Sequence, residues 1–207
     1  VEWIRAQPRT PDVVHVHDWP TALVPLFLKR AAEEDPKLAT VRSVLTIHNV
    51  AHQGVFPMET LGDIGLPARY GSIQELEFFG SVSWLKGGIL HADRVTTVSP
   101  GYAHEILTAE GGARMDGVLR ARTHALVGIL NGVDPAVWNP TTDPHLAARF
   151  DAEDASAKAR CKSDLQERLK LPVRPEVPVF GMVSRLDGQK GIDLLLKSAA
   201  TLLRQDV

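Results

Sequence analysis

The 207-residue chain carries 23 basic and 25 acidic side chains, a formal charge of −2, and is 44% hydrophobic with a single cysteine. That balance leaves no basic field to hold nucleic acid or an anionic membrane surface, and one cysteine excludes an internal disulfide and fits a reducing compartment. No window approaches the ~18 uninterrupted apolar residues of a membrane span. The opening VEWIRAQPRTPDVV has neither a signal-peptide core nor transit-peptide flanks, so cytoplasm is the expected location.

In chain order, residues 12–16 (DVVHV) read as a short buried strand, which makes His15 a buried structural residue. Asp18 then suits the N-cap of a helix that Pro20 opens, with Leu23, Leu26, Phe27 and Ala31 on one stripe. The run Glu33-Glu34-Asp35 is a solvated helix end. Residues 42–47 (RSVLTI) are the next buried strand, ending at His48-Asn49, and residues 54–70, rich in Gly and Pro, read as an extended loop.

Residues 83–91 (SWLKGGILH) predict a helix despite two glycines, which implies close packing against a sheet. Lys86 on it fits a snorkelling surface lysine, and Trp19, Trp84 and Trp138 fit the core. Residues 94–98 predict a strand, 100–107 a helix broken by Gly111-Gly112, 115–122 a further helix and 126–130 a strand ending in the turn Asn131-Gly132. A helix is expected near 155–169. Strands alternating with helices at this spacing predict an α/β chain with a parallel, doubly wound sheet.

Residues 183–194, VSRLDGQKGIDL, are the most informative stretch. They follow an apolar run, 178–183, that reads as a buried strand, and precede helical spacing over 192–203. A polar turn between strand and helix puts backbone N–H groups at a helix N-terminus, where an anion is favoured. Arg185 adds a planar fork and Lys190 a point charge, while Gly188 and Gly191 permit close backbone approach. Together they suit a diphosphate, although a solvated loop with a chance Arg and Lys has the same pattern.

Ligands of open α/β sheets sit at the carboxyl ends of the strands. His17 and Asp18, His48 and Asn49, Ser99, Asn131, and Ser184 with Arg185 all fall at such ends. From the residues alone Asp18 is a helix cap or a cleft carboxylate, His48 a satisfied histidine or a cleft group, and Asn131 a left-handed turn residue or a ligand contact.

The string S-R-L-x-x-Q-K-G-x-D-L resembles the sugar-nucleotide diphosphate loop of bacterial glycogen synthases and plant starch synthases, which are retaining glucosyltransferases. Four more segments resemble that family in the same order: PDVVHVHDWPTALVP, VLTIHNVAHQGVFP, ELEFFGSVSWLKGGILHADRVTTVSPGYAHEI and LVGILNGVDPAVWNPTTD. The likeness runs from about residue 11 onward and is weakest over 144–177. His52 departs from it, standing where the family usually has Tyr.

The resemblance implies the glycosyltransferase B fold: two Rossmann-like doubly wound lobes, both incomplete in this chain. Residues 1–127 would be the C-terminal part of the acceptor-side lobe, 128–177 the connection, and 178–207 the start of the nucleotide-sugar lobe, with an exposed sheet edge at Val179. It implies transfer of glucose, with retention, from ADP-glucose to the non-reducing end of an α-1,4-glucan, with neither metal nor cofactor. It places Asp18 and His48 at the catalytic centre, Arg185 and Lys190 on the donor diphosphate, and Asn49 and Asn131 beside the sugar. The family's Lys-x-Gly-Gly-Leu loop and its Glu-x-Cys-Gly segment are absent; Cys161 lies in the 155–169 helix and is not that cysteine. The chain therefore reads as an internal stretch of a longer enzyme, inactive by itself. The competing expectations are a related transferase using UDP-glucose or another acceptor, and a truncated glucan- or nucleotide-binding protein.

Overall fold

The computed structural model describes residues 1–205, and the chain divides into two compact units, Val1–Gly132 and a second that begins at Val133. The first unit holds strands β1 (Val13–His17), β2 (Arg42–Ile47), β3 (Val55–Phe56), β4 (Glu77–Phe78), β5 (Ser81–Ser83), β6 (Arg94–Thr97) and β7 (Leu126–Gly128). Its helices are α1 (Glu2–Arg5), α2 (Asp18–Thr21), α3 (Val24–Glu34), α4 (Thr60–Asp63), α5 (Trp84–His91), α6 (Pro100–Glu105) and α7 (Asp116–Ala121).

The main sheet has the order β1-β2-β6-β7, parallel throughout. The α/β class and the parallel pairing of the predicted strands therefore hold. The core lies on one face of this sheet, where Val16, Leu45, Ile47 and Val95 meet Leu85 and Ile89 of α5, with Ile106, Met115 and Leu119 beside them. Side chains alternate along a strand, so Val14 and Val16 turn to that core. Val13, His15 and His17, of opposite parity, are exposed. The expectation that His15 is buried fails for this reason: the run VVHVH is a one-sided strand.

The two glycines of α5 do what their position suggested. A Cβ on Gly88 would lie 2.7 Å from both the Cβ and the carbonyl oxygen of Ala22 and 2.9 Å from Leu45 Cδ2. The helix can lie against β2 only with no side chain there.

Residues 54–70 are more ordered than an extended loop. They contribute β3, which pairs antiparallel with β5, itself paired with β4. Leu61, Leu66, Tyr70, Leu76 and Val82 give this small sheet a core of its own, shared with Leu23 and Leu26. Lys86 is buried at 5% exposure, and its ammonium donates to the carbonyls of Ile73 (2.6 Å) and Glu77 (2.7 Å). It is an interior clamp on the 73–77 segment, the reverse of a surface lysine. Burial lowers its pKa, and Glu77 and Glu75 act against that shift. Trp19 and Trp84 pack together with Phe56, at ring centroids 4.6–6.0 Å apart, but Trp138 is exposed and belongs to no core.

The second unit contains α8 (Lys158–Arg168) and α9 (Ile192–Leu202) and, among the described residues, no strand. The predicted buried strand over 178–183 is not formed: the segment is unpaired, with Phe180 and Val183 exposed. A strand is stabilised by a neighbouring ladder, and no described residue supplies one.

Candidate active-site rim

β1 and β2 run parallel with His17 opposite Thr46, so their carboxyl ends put residues 17–18 beside residue 48. Asp18 makes the decisive contact: its Oδ1 accepts a hydrogen bond from the His48 backbone N–H at 2.8 Å. This differs from the expected helix cap, because α2 begins at Asp18 with His17 as its N-cap residue and no side-chain cap bond. Asp18 has φ +52°, the left-handed region that non-glycine residues enter at a cost of roughly 1–2 kcal/mol. Strain of this kind concentrates at functional sites.

The His48 ring is held from the other side by a residue outside the predicted site set. His17 Nδ1 lies 3.1 Å from His48 Nε2. Behind it, His15 Nε2 bonds to Thr46 Oγ1 at 2.6 Å, and Thr46 Oγ1 to Thr96 Oγ1 at 2.6 Å. The three imidazoles form a row, with ring centroids 4.3 Å apart for His15 and His17 and 5.3 Å for His17 and His48. Partial desolvation, then the neighbouring imidazoles of His17 and His48, hold His15 below the ordinary imidazole range.

Asn49, half-buried, turns its side-chain oxygen to the Ala51 N–H at 2.9 Å, which shapes the exit from β2. Val50 is fixed by its N–H donating to the Tyr102 hydroxyl (3.0 Å), and Gln53 Nε2 donates to the Ala113 carbonyl (2.6 Å). The 48–53 segment is thereby tied to the elements that follow β6. Asn131 is exposed, just past β7 and in no regular element.

In the second unit Arg185 and Lys190 are both exposed on the turn before α9, and among the described residues neither is paired with a carboxylate. Asp187 Oδ1 accepts from Gln189 N–H at 3.0 Å and starts a short 3₁₀ turn, Gly188–Lys190. Gly191, at φ +71°, then leads into α9, a conformation that glycine adopts without strain. The turn thus places two exposed cations next to the N-terminus of α9.

Residues 1–121 match the family model described as the starch synthase catalytic domain. The chain belongs to the starch synthase catalytic domain family. It is 50% identical over 197 residues to a protein named glycogen synthase from Anaeromyxobacter dehalogenans (strain 2CP-1), covering 95% of this chain and 41% of that one. It is 50% identical over 193 residues to glycogen synthase 2 of Bradyrhizobium diazoefficiens, covering 93% and 39%. Among solved structures it resembles the catalytic domain of starch synthase IV from Arabidopsis thaliana, bound to ADP and acarbose. That match has a TM-score of 0.81 and 36% identity and covers 94% of this chain and 40% of that one. The chain thus spans about two fifths of these starch and glycogen synthases. His17 was visible in the sequence as a strand-end residue beside Asp18 of the family's His-Asp-Trp string; only the parallel register shows which ring it meets.

Proposed function

We propose that the whole enzyme containing this chain is a glycogen or starch synthase with a two-lobed glycosyltransferase B architecture, moving glucose with retention from ADP-glucose to the non-reducing end of an α-1,4-glucan. The Asp18–His48 bond at the paired strand ends, in a chain of the starch synthase family, supports this reading most. Residues 1–127 serve as part of the acceptor-side lobe, 128–177 as the connection and 178–207 as the start of the nucleotide-sugar lobe.

In this scheme the anomeric carbon gains positive charge as its bond to the diphosphate breaks. His48 stands on the rim where a backbone carbonyl or a ring nitrogen can stabilise that charge, and Asp18 holds the His48 main chain in place. The departing diphosphate gains negative charge, which Arg185, Lys190 and the N-terminus of α9 stabilise; each charge-assisted bond contributes about 1.5–3 kcal/mol. Asn49 and Asn131 face the sugar. The step needs no divalent ion. Closure of the two lobes excludes water that would hydrolyse the donor, and the enzyme works in the cytoplasm.

The test is incorporation of labelled glucose into glycogen by the whole enzyme, comparing ADP-glucose with UDP-glucose. A preference for ADP-glucose with the α-linkage retained is the expected result. Incorporation from UDP-glucose alone, or into a different acceptor, refutes it.

A further inference from the structure

We infer that His17 is a positioning residue for His48: a single proton lies between His17 Nδ1 and His48 Nε2, so His17 fixes both the orientation of the His48 ring and which of its nitrogens carries hydrogen. The role rests on the proposal that His48 acts at the sugar, but the linkage between the rings does not.

The two nitrogens are 3.1 Å apart, a hydrogen-bond distance, and a bond between two imidazole nitrogens needs a proton on one and a lone pair on the other. The tautomers of the two rings are therefore tied together. His17 can hold its neighbour because its own backbone is fixed twice: its N–H donates to Thr21 Oγ1 at 2.8 Å, and the Thr21 hydroxyl donates back to the His17 carbonyl at 2.7 Å. The main chain of His48 is held independently by Asp18. With the main chain anchored by one residue and the ring by the next, His48 has one position left to occupy. His15, the next ring in the row, is bonded through its Nε2 to Thr46.

The substitution series uses where each side chain puts its polar atom. Asparagine carries a nitrogen or oxygen on Cγ, where His17 carries Nδ1; glutamine reaches only as far as Nε2. Long-range ¹H–¹⁵N spectra of the wild-type protein should show a scalar coupling between His17 Nδ1 and His48 Nε2, with one tautomer of His48. In His17→Phe the ring of His48 should show a mixture of tautomers, and in His17→Asn a single one again.

In the whole enzyme His17→Phe and His17→Gln should lower kcat on the order of 10- to 100-fold, the scale of an ångström-level misplacement, with the KM for the sugar nucleotide within about threefold. His17→Asn should recover to within about fivefold of wild type. The main-chain bonds to Thr21 persist in all three variants, and circular dichroism checks that they fold. Absence of the coupling, or equal kcat for the Phe and Asn variants, overturns the inference. If His48→Ala itself leaves kcat unchanged, the sugar-side role of His48 fails, while the spectra still decide the His17 linkage.

Discussion

Gly88→Ala should destabilise the first unit by about 2 kcal/mol, although the same exchange in most helices stabilises. The helix-propensity gain of Ala over Gly is about 1 kcal/mol. Against it stands the space around the new methyl group, with two atoms of Ala22 at 2.7 Å and Leu45 Cδ2 at 2.9 Å. One of these is a backbone oxygen, and Ala22 and Leu45 are fully buried, so no flexible side chain can yield. Overpacking of a tight core costs typically ~1–3 kcal/mol, and the upper end applies when α5 must back away from both β2 and the α2–α3 junction. Gly117→Ala is the control: Gly117 lies in α7, exposed, with nothing within 4 Å of the added carbon. It should stabilise by about 0.5–1 kcal/mol. Urea unfolding followed by tryptophan fluorescence, which Trp19 and Trp84 dominate within the core, reads both as shifts in midpoint at constant slope. If Gly88→Ala is neutral or shifts the midpoint upward as Gly117→Ala does, the close packing of α5 is wrong.

Other substitutions probe separate layers. Lys86→Met should cost about 2–4 kcal/mol, because two inward carbonyls lose a cationic donor; limited proteolysis should then cut first within residues 73–77. Burial pushes the Asp93 carboxyl up, but the Ser43 N–H and hydroxyl, with Lys29 and Arg42, outweigh it and hold its pKa below 3.8. A depressed folded-state pKa gives stability that is present above pH 3.8 and lost as pH falls through the folded value. The stability gap between wild type and Asp93→Asn should therefore narrow on acidification below pH 3.8 in urea titrations. In the whole enzyme Arg185→Ala and Lys190→Ala should each lower kcat/KM at least about 100-fold, or ~2.7 kcal/mol, with Lys190→Arg a poor rescue. Both residues are exposed, so their removal should shift stability by no more than about 0.5 kcal/mol.

The parallel sheet was legible because its strands are short runs rich in Val, Leu, Ile and Thr, and two of them, β1 and β6, are followed directly by helices. Arg42–Ile47 matches its predicted span, and Val13–His17 lies one residue from it. The antiparallel β3-β5-β4 sheet was hidden, since its strands have only two or three residues and pack in a cluster shared with Leu23 and Leu26, which are distant in sequence. Lys86 was misread for a related reason. Nothing in SWLKGGILH reveals that residues 73–77 fold over the lysine and offer it two carbonyls. Over 178–183 composition alone indicated a strand, but pairing is a property of neighbours that a single segment does not encode. At the rim the sequence named Asp18 and His48 through a family string, yet their bond runs from a carboxylate to a backbone N–H, which no motif spells out.

That bond shows how the apolar core sets the geometry of the rim. In an extended strand Asp18 would share parity with Val14 and Val16 and carry its carboxylate to the core face, where an unpaired charge is costly. The left-handed φ at Asp18 ends the alternation at that residue, and the carboxylate meets the neighbouring His48 N–H instead. The register that makes this possible is fixed elsewhere, by Val16, Leu45 and Ile47 buried at 5%, 0% and 0%. A slip of β1 by one residue against β2 would turn Val16 out and His17 in, separating His17 from His48 as well as Asp18 from the His48 amide. Core burial and rim geometry are therefore one constraint. A substitution that loosens the Val16–Leu45 contact should disturb the His17–His48 coupling before it unfolds the protein.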